Sequence, residues 1–427
     1  MAFKLSYPKI LSILFISILV LEAESSELYY PPTSQTDNWE TIEPSNLGWN
    51  LDKLSDFSLF ADTTASKALI ILQKGKIAFE QYYNGHKQSD AHYWASAGKT
   101  LTAFMAGIGV SGGLMSLDSP SSDYLGEGWS SCTPEEERMR TLFQHLTMTT
   151  NLDQDTQLDC TSPECLKCED GEEAGNGWHY HNGAYTIVQQ MIANAYIEEN
   201  LNRVISKKLT PLTGITGLFV KTGDNSVFFS NPRSFARFGL LLSAKGEWNG
   251  QKLITDPNYF DDMTTTSQPH NKAYGYLTWL NGSDSYRLPG LDFDIPGMIS
   301  PTLPSDAYAG IGKNGQIVCV IPSWDIVFIR MGDEAPGLAP TSYLNDLGRH
   351  LSDVVAVSSV SNTVSRDINF NIENKQAISD ENISLYDLNG RLLESGKIVS
   401  LRNELSILLI GDIAYLVSDY GKVISVK

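Results

Sequence analysis

The chain has 427 residues, 42% of them hydrophobic, with 50 acidic against 31 basic side chains and a formal net charge of −19. That hydrophobic share supports packed globular structure, and the length exceeds one ordinary core, so more than one domain is expected. A surface this acidic argues against nucleic acid and anionic membranes as partners, since both need basic patches.

At the N-terminus, Lys4 and Lys9 precede an apolar run from Ile10 to Leu21, and small residues follow. Residues 1–23 therefore read as a secretory signal peptide cut near Leu21-Glu22-Ala23. The run is shorter than the roughly 20 residues a spanning helix needs. The expected location is secreted or at the cell surface. Residues 24–50 are polar and Pro-rich and read as an irregular arm. Leu51 to Ala61 has the spacing of a short amphipathic helix. Ala68-Leu69-Ile70-Ile71-Leu72 and Ile77 to Tyr83 flank Gln73-Lys74-Gly75-Lys76, a hairpin whose continuously apolar first arm predicts a strand covered on both faces.

Next comes Trp94-Ala95-Ser96-Ala97-Gly98-Lys99-Thr100, running into the apolar stretch Leu101 to Ile108. In a helix, residues three apart share a face, so Ser96 and Lys99 meet. A serine in the first turn also serves as an ordinary cap. Alternatively, a lysine that loses solvation gives up its charge, and a neutral amine can take a serine's proton and make it a nucleophile. Gly112-Gly113 closes that helix, and Met139 to Met148 is helix-like.

Five cysteines follow. Cys132, Cys160, Cys165 and Cys168 fall in one polar region, the last three within a long loop from Asn151 to Asn176, and Cys319 lies far away. In an exported protein the cluster suggests two disulfides. Nearness in sequence favours Cys160–Cys165 and Cys132–Cys168, although four cysteines allow three pairings. The alternative is a zinc site built from Cys160, Cys165 and Cys168 with His179 and His181. Beyond the loop stands Trp178-His179-Tyr180-His181-Asn182-Gly183, then a helix from Ala184 to Tyr196. A tyrosine and an asparagine two apart point the same way from extended chain, and a phenol beside an ammonium has a lowered pKa and can carry protons. Asn231-Pro232 introduces a helix from Phe235 to Ala244. Gln316 to Pro322 and Asp325 to Arg330 form a second hairpin, and Thr341 to Val355 a last helix. A hairpin, then helices, then a hairpin and a helix describe an α+β domain on an antiparallel sheet over residues 51–355. Residues 356–365 are a Ser/Val linker. Residues 366–427 read as a small all-β sandwich, with Asn389-Gly390 as a hairpin turn.

Taken together, Ser96-Lys99, Tyr180-Asn182 and the stretch from Gly315-Gln316 through Pro322 resemble the serine β-lactamase and penicillin-binding-protein family. The likeness is to its class C branch, with its esterases and 6-aminohexanoate-dimer hydrolases. Leu146 to Thr150 and Ser234 to Gly239 add to it. The resemblance implies a β-lactamase/DD-peptidase-like fold, an antiparallel sheet flanked by helices plus a mostly helical region. It implies Ser96 as nucleophile, Lys99 as base, Tyr180 as proton shuttle and Asn182 as an orienting group. The oxyanion hole would use the Ser96 N–H and one from Ala309-Gly310-Ile311. No metal or cofactor is implied. Ala307-Tyr308-Ala309 stands where the family's Lys-Thr-Gly would be, which argues against a carboxylate-bearing β-lactam and for a small neutral ester, amide or peptide. A non-catalytic member that binds peptidoglycan or another ligand is the alternative. A literal Lys221-Thr222-Gly223 is expected to be a solvated loop instead of the third element. Leu385 to Leu393 and Ala414 to Val417 resemble the sorting domain of the type IX secretion system, which would make the secretion machinery a partner.

Overall fold

The computed structural model describes residues 28–34, 38–152, 161–168, 173–196, 200–291 and 293–355, and strand backbone within 370–425. The leader at 1–23, the linker at 356–365 and the Asn389-Gly390 turn lie outside them.

The first helix, α1 (Leu51–Thr63), starts where the Asn50 side chain accepts from the Lys53 N–H, and it buries Leu54, Phe57 and Ala61 at helical spacing. Strands β1 (Ser66–Gln73) and β2 (Lys76–Tyr82) follow as the expected hairpin. Their turn puts Lys74 at φ 49° and Gly75 at φ 83°, the left-handed pair that two-residue hairpins demand. The chain before α1 is irregular but firmly docked. Tyr29 N–H donates to Lys74 O, and Trp39 Nε1 donates to Gly75 O at 2.7 Å. Buried Arg237 lies 4.9 Å from the Trp39 ring and donates to Pro32 O and Thr213 O.

Three short strands form a small sheet beside the helices: β3 (His92–Tyr93), β4 (Leu218–Thr222) and β5 (Asn225–Ser230), in the order β3-β5-β4. The helical region holds α2 (Gly98–Ser111), α3 (Leu142–Thr147) and α4 (Asn182–Ala195). Then α5 (Pro232–Ser243) is capped by Asn231, whose side chain accepts from the Ser234 N–H.

The main sheet is completed by β6 (Trp279–Leu280), β7 (Tyr308–Gly312), β8 (Gln316–Ile321) and β9 (Ile326–Gly332), before α6 (Pro340–Val355). Its order is β2-β1-β9-β8-β7-β6, antiparallel throughout. First and last hairpins therefore meet at the centre, where β1 pairs β9 from Gln73–Ile326 to Ser66–Gly332. Helices α1 and α6 cover one face and α5 the other, which is why β1, β8 and β9 read as unbroken apolar runs. Gly239 lets α5 approach closely, since a Cβ there would fall 2.4 Å from Val327.

The end of the chain carries six strands, from Phe370–Glu373 to Val423–Ser425, paired antiparallel in one connected ladder. Gln376–Tyr386 and Leu392–Ser400 pair across the interval that contains Asn389-Gly390.

Cys132 and Cys168 form a disulfide, and Cys165 is also disulfide-bonded. Cys160 lies outside the described residues. With Cys165 and Cys168 both oxidised, the zinc alternative loses two of its thiolates. Cys319 is free and buried.

Candidate active site

Ser96 is delivered by a tight turn. Trp94 is buried, donates from Nε1 to Ser230 Oγ at 2.8 Å, and packs on Phe228 and Phe235 with ring centroids 4.8 and 4.2 Å away. Tyr93, one residue earlier, pairs with Phe229 in the small sheet. Ala95 then adopts φ 47°, a left-handed value rare outside glycine, and the chain swings into a short 3-10 turn at Ala95–Ala97 that leads into α2. Ser96 is half-buried and makes no capping bond. The capping role that sequence alone allowed is not the one adopted.

The Ser96 hydroxyl instead meets Lys99. The Lys99 Nζ donates to Ser96 Oγ at 2.8 Å and to Asn182 Oδ1 at 2.7 Å. Lys99 is only 2% exposed, although a lysine is seldom buried. Tyr180, in the extended segment before α4, hydrogen-bonds Ser96 through its hydroxyl, and its ring lies 4.8 Å from Lys99 Nζ. Two pairs distant in sequence, Ser96 with Lys99 and Tyr180 with Asn182, are thus brought into one contact set; spacing predicted the meeting of Ser96 and Lys99, and the family resemblance implied the rest. The expected sign of one electrostatic effect is reversed. Burial pushes the Tyr180 hydroxyl well above the ordinary phenol value, outweighing the lowering by its Ser96 bond. Tyr180 is held as a neutral phenol. Its ring stacks on Trp279, centroids 6.0 Å apart at 23°, with Trp178 and Tyr274 closing the cluster.

Strand β7 runs beneath Ser96. A Cβ on Gly310 would lie 3.0 Å from both Ala97 O and Thr100 Oγ1; on Gly312 it would lie 2.6 Å from Trp94 O and 2.9 Å from Ser96 N. Only glycine permits this approach. Ile311 falls between them and turns its side chain to the other face of the strand, so only its backbone can serve the site. Gly312 escaped the sequence reading, yet it lies against the Ser96 backbone N–H. The cue was there in the alternation of Gly310 and Gly312. Past Ala309, which pairs with Trp279, the outer edge of β7 has no strand partner among the described residues.

Ala307, Tyr308 and Ala309 are buried, and the Tyr308 hydroxyl donates to Leu242 O at 2.9 Å, away from Ser96. No cation occupies the third-element position. Lys221 is exposed, as expected, but on strand β4 of the small sheet instead of in a loop; Gly223, at φ 62°, forms the turn to β5. Two positions that pattern reasoning missed complete the surroundings. Tyr185, one helical turn beyond Asn182, lays its ring 4.1 Å from Lys99 Nζ. Asn314 donates from Nδ2 to Tyr93 Oη at 2.7 Å, and Arg330 holds the same turn through Gly315 O at 3.2 Å.

A serine hydroxyl at a helix start, a buried lysine on it and a tyrosine beside both define a site of the active-site-serine hydrolase type, on an antiparallel sheet joined to a helical region. The model of the beta-lactamase family matches residues 60–350. This chain belongs to that family, and its fold is of the β-lactamase/DD-peptidase kind. Solved structures agree on the fold. A candidate 6-aminohexanoate-dimer hydrolase from Bacillus anthracis superposes with a TM-score of 0.57 at 16% identity, covering 77% of this chain and 91% of that one. A class C beta-lactamase in complex with cefoxitin gives 0.54 at 14%, covering 73% and 100%. EstCE1, a hydrolase with promiscuous acyltransferase activity, gives 0.50 at 12%, covering 73% and 99%. Among curated protein sequences, none matches this chain.

Proposed function

We propose that the protein is an exported serine hydrolase that cleaves a neutral ester or amide through an acyl-enzyme on Ser96. The observation that carries this reading is the 2.8 Å contact between Lys99 Nζ and Ser96 Oγ, made inside the contact set of Asn182 and Tyr180. In this reading neutral Lys99 takes the Ser96 proton as Oγ attacks the substrate carbonyl. The proton passes through the Tyr180 hydroxyl to the leaving oxygen or nitrogen, whose bond to the carbonyl carbon breaks. Water, activated by the same groups, then releases the acid. The N–H groups of Ser96 and Gly310 hold the oxyanion, each worth ~3 kcal/mol in the transition state. Asn182 orients the Lys99 amine.

Ala307 at the third-element position supports a neutral substrate over an anionic one. Among the fold relatives, a class C beta-lactamase was solved with cefoxitin and EstCE1 is a hydrolase with acyltransferase activity. The latter chemistry is the nearer fit to a site without that cation. The signal-like N-terminal run supports export, and in this reading residues 366–427 would be read by type IX secretion machinery. Hydrolysis of p-nitrophenyl esters, D-amino-acid amides, short amide oligomers and nitrocefin by wild type and Ser96→Ala tests the reading. Turnover of an ester or amide that Ser96→Ala abolishes is expected. Nitrocefin as the preferred substrate would overturn the neutral-substrate assignment.

A further inference from the structure

We infer that Tyr185 is a positioning residue for Lys99, its ring face holding the ammonium form and so setting the pH at which the lysine becomes a base. This rests on the base role given to Lys99 above.

The geometry comes from three elements. Helix α4 presents Asn182 and Tyr185 three residues apart on one face, which packs on α2. Asn182 Oδ1 accepts from Lys99 Nζ at 2.7 Å, and the Tyr185 ring centroid lies 4.1 Å from the same atom. That is well inside the roughly 6 Å over which a ring face attracts a cation, and the attraction grows when the pair is desolvated. The Tyr185 ring is 4% exposed, and Lys99 is more buried still. The Tyr185 hydroxyl donates to Asn225 Oδ1. Asn225 opens β5 and pairs with Thr222 across the hairpin turn, so the small sheet fixes the ring's plane. The same sheet carries Tyr93, next to the Trp94 anchor of Ser96. Nucleophile and base are thereby referred to one scaffold.

Among the described residues, the groups that face Lys99 Nζ include Ser96 at the start of its own helix, Tyr180 from the segment before α4, and Asn182 and Tyr185 from α4. Burial keeps Tyr180 a neutral phenol, so it adds no negative charge there in the neutral range. Burial favours the neutral amine and the ring faces favour the ammonium. Tyr185 has the closer ring of the two.

The test is a pH titration of the full-length protein labelled at lysine Cε with carbon-13. The Lys99 resonance is assigned by its loss in Lys99→Arg. Tyr185→Leu should lower the Lys99 titration midpoint by about one pH unit, the scale of one desolvated ring face. Tyr185→Phe keeps the face and should stay within about 0.3 of wild type. Tyr185→Met serves if the leucine variant does not fold. An unchanged midpoint in folded Tyr185→Leu or Tyr185→Met overturns the assignment. So does a shift in Tyr185→Phe as large as that in Tyr185→Leu, which would credit the hydroxyl. Ester hydrolysis measured on the same samples separates this from the catalytic reading. If Lys99 is the base, the acid limb of kcat/KM moves down with the midpoint. A midpoint that moves while the rate profile stays put leaves Tyr185 in place and removes Lys99 as base.

Discussion

Strands β7 and β4 invite opposite conclusions on inspection. β4 ends in the first two residues of a literal Lys221-Thr222-Gly223, while Ala307-Tyr308-Ala309 leads into β7. Yet β7 lies in the six-stranded sheet, with Gly312 against the Ser96 N–H, and β4 is an outer strand of the small sheet with Lys221 in solvent. The difference teaches that the third element is defined by what a strand lies against. The small sheet still reaches the site, but through Asn225 and the Tyr185 ring instead of through its lysine.

That contrast can be broken from either side. Tyr180 stacks on Trp279, the neighbour of Ala309 in the main sheet, and Tyr180→Phe removes only the hydroxyl. A loss of about 10²- to 10⁴-fold in kcat is expected, with the melting temperature nearly unchanged. A fully active Tyr180→Phe would strip the main-sheet side of its proton carrier. Gly312→Val should cost on the order of 10²- to 10³-fold by forcing Ser96 N–H off its line, the scale of one lost oxyanion donor. Ester kinetics on protein shown folded by circular dichroism checks this.

Smaller effects sharpen the other side. Asn225→Ala loses one hydrogen bond to Tyr185, of about 1 kcal/mol, and should reduce kcat/KM roughly five-fold. Lys221→Ala should leave ester hydrolysis within a few-fold and stability within about 0.5 kcal/mol, as exposed substitutions do. A collapse of activity in Lys221→Ala would move the third element to β4. The pH profile adds a further check. Because burial raises the Tyr180 hydroxyl, it loses its proton only above the ordinary phenol value of about 10. The rate on a neutral ester should therefore hold level on the alkaline side up to roughly pH 10. An alkaline limb near pH 8 that Tyr180→Phe removes would contradict it.

Much of this was legible in the chain because it is local. Ser96 and Lys99 sit three apart on a helix start, and the paired hairpins announce themselves by apolar runs around short turns. Cys132–Cys168 is the pair left once the near neighbours Cys160 and Cys165 are joined. What stayed hidden depends on tertiary neighbours. Tyr185 is one tyrosine among nineteen until α4 is docked on α2. The arm carrying Trp39 has no periodicity, and its place is set by Gly75 and Arg237, far along the chain. The direction of the Tyr180 shift turned on its burial, at 9% exposure, which no spacing reveals. Lys221 was assigned to a loop because Asp224-Asn225 signals a turn, and the turn is real; the strand leading into it is short and polar.

The most direct test of the account is the mass of the intact protein after reaction with a fluorophosphonate probe, followed by peptide mapping. The account predicts a single adduct on Ser96, absent in Ser96→Ala, strongly slowed in Lys99→Ala and undiminished in Lys221→Ala. Labelling that survives Ser96→Ala, or that maps to another residue, would contradict it.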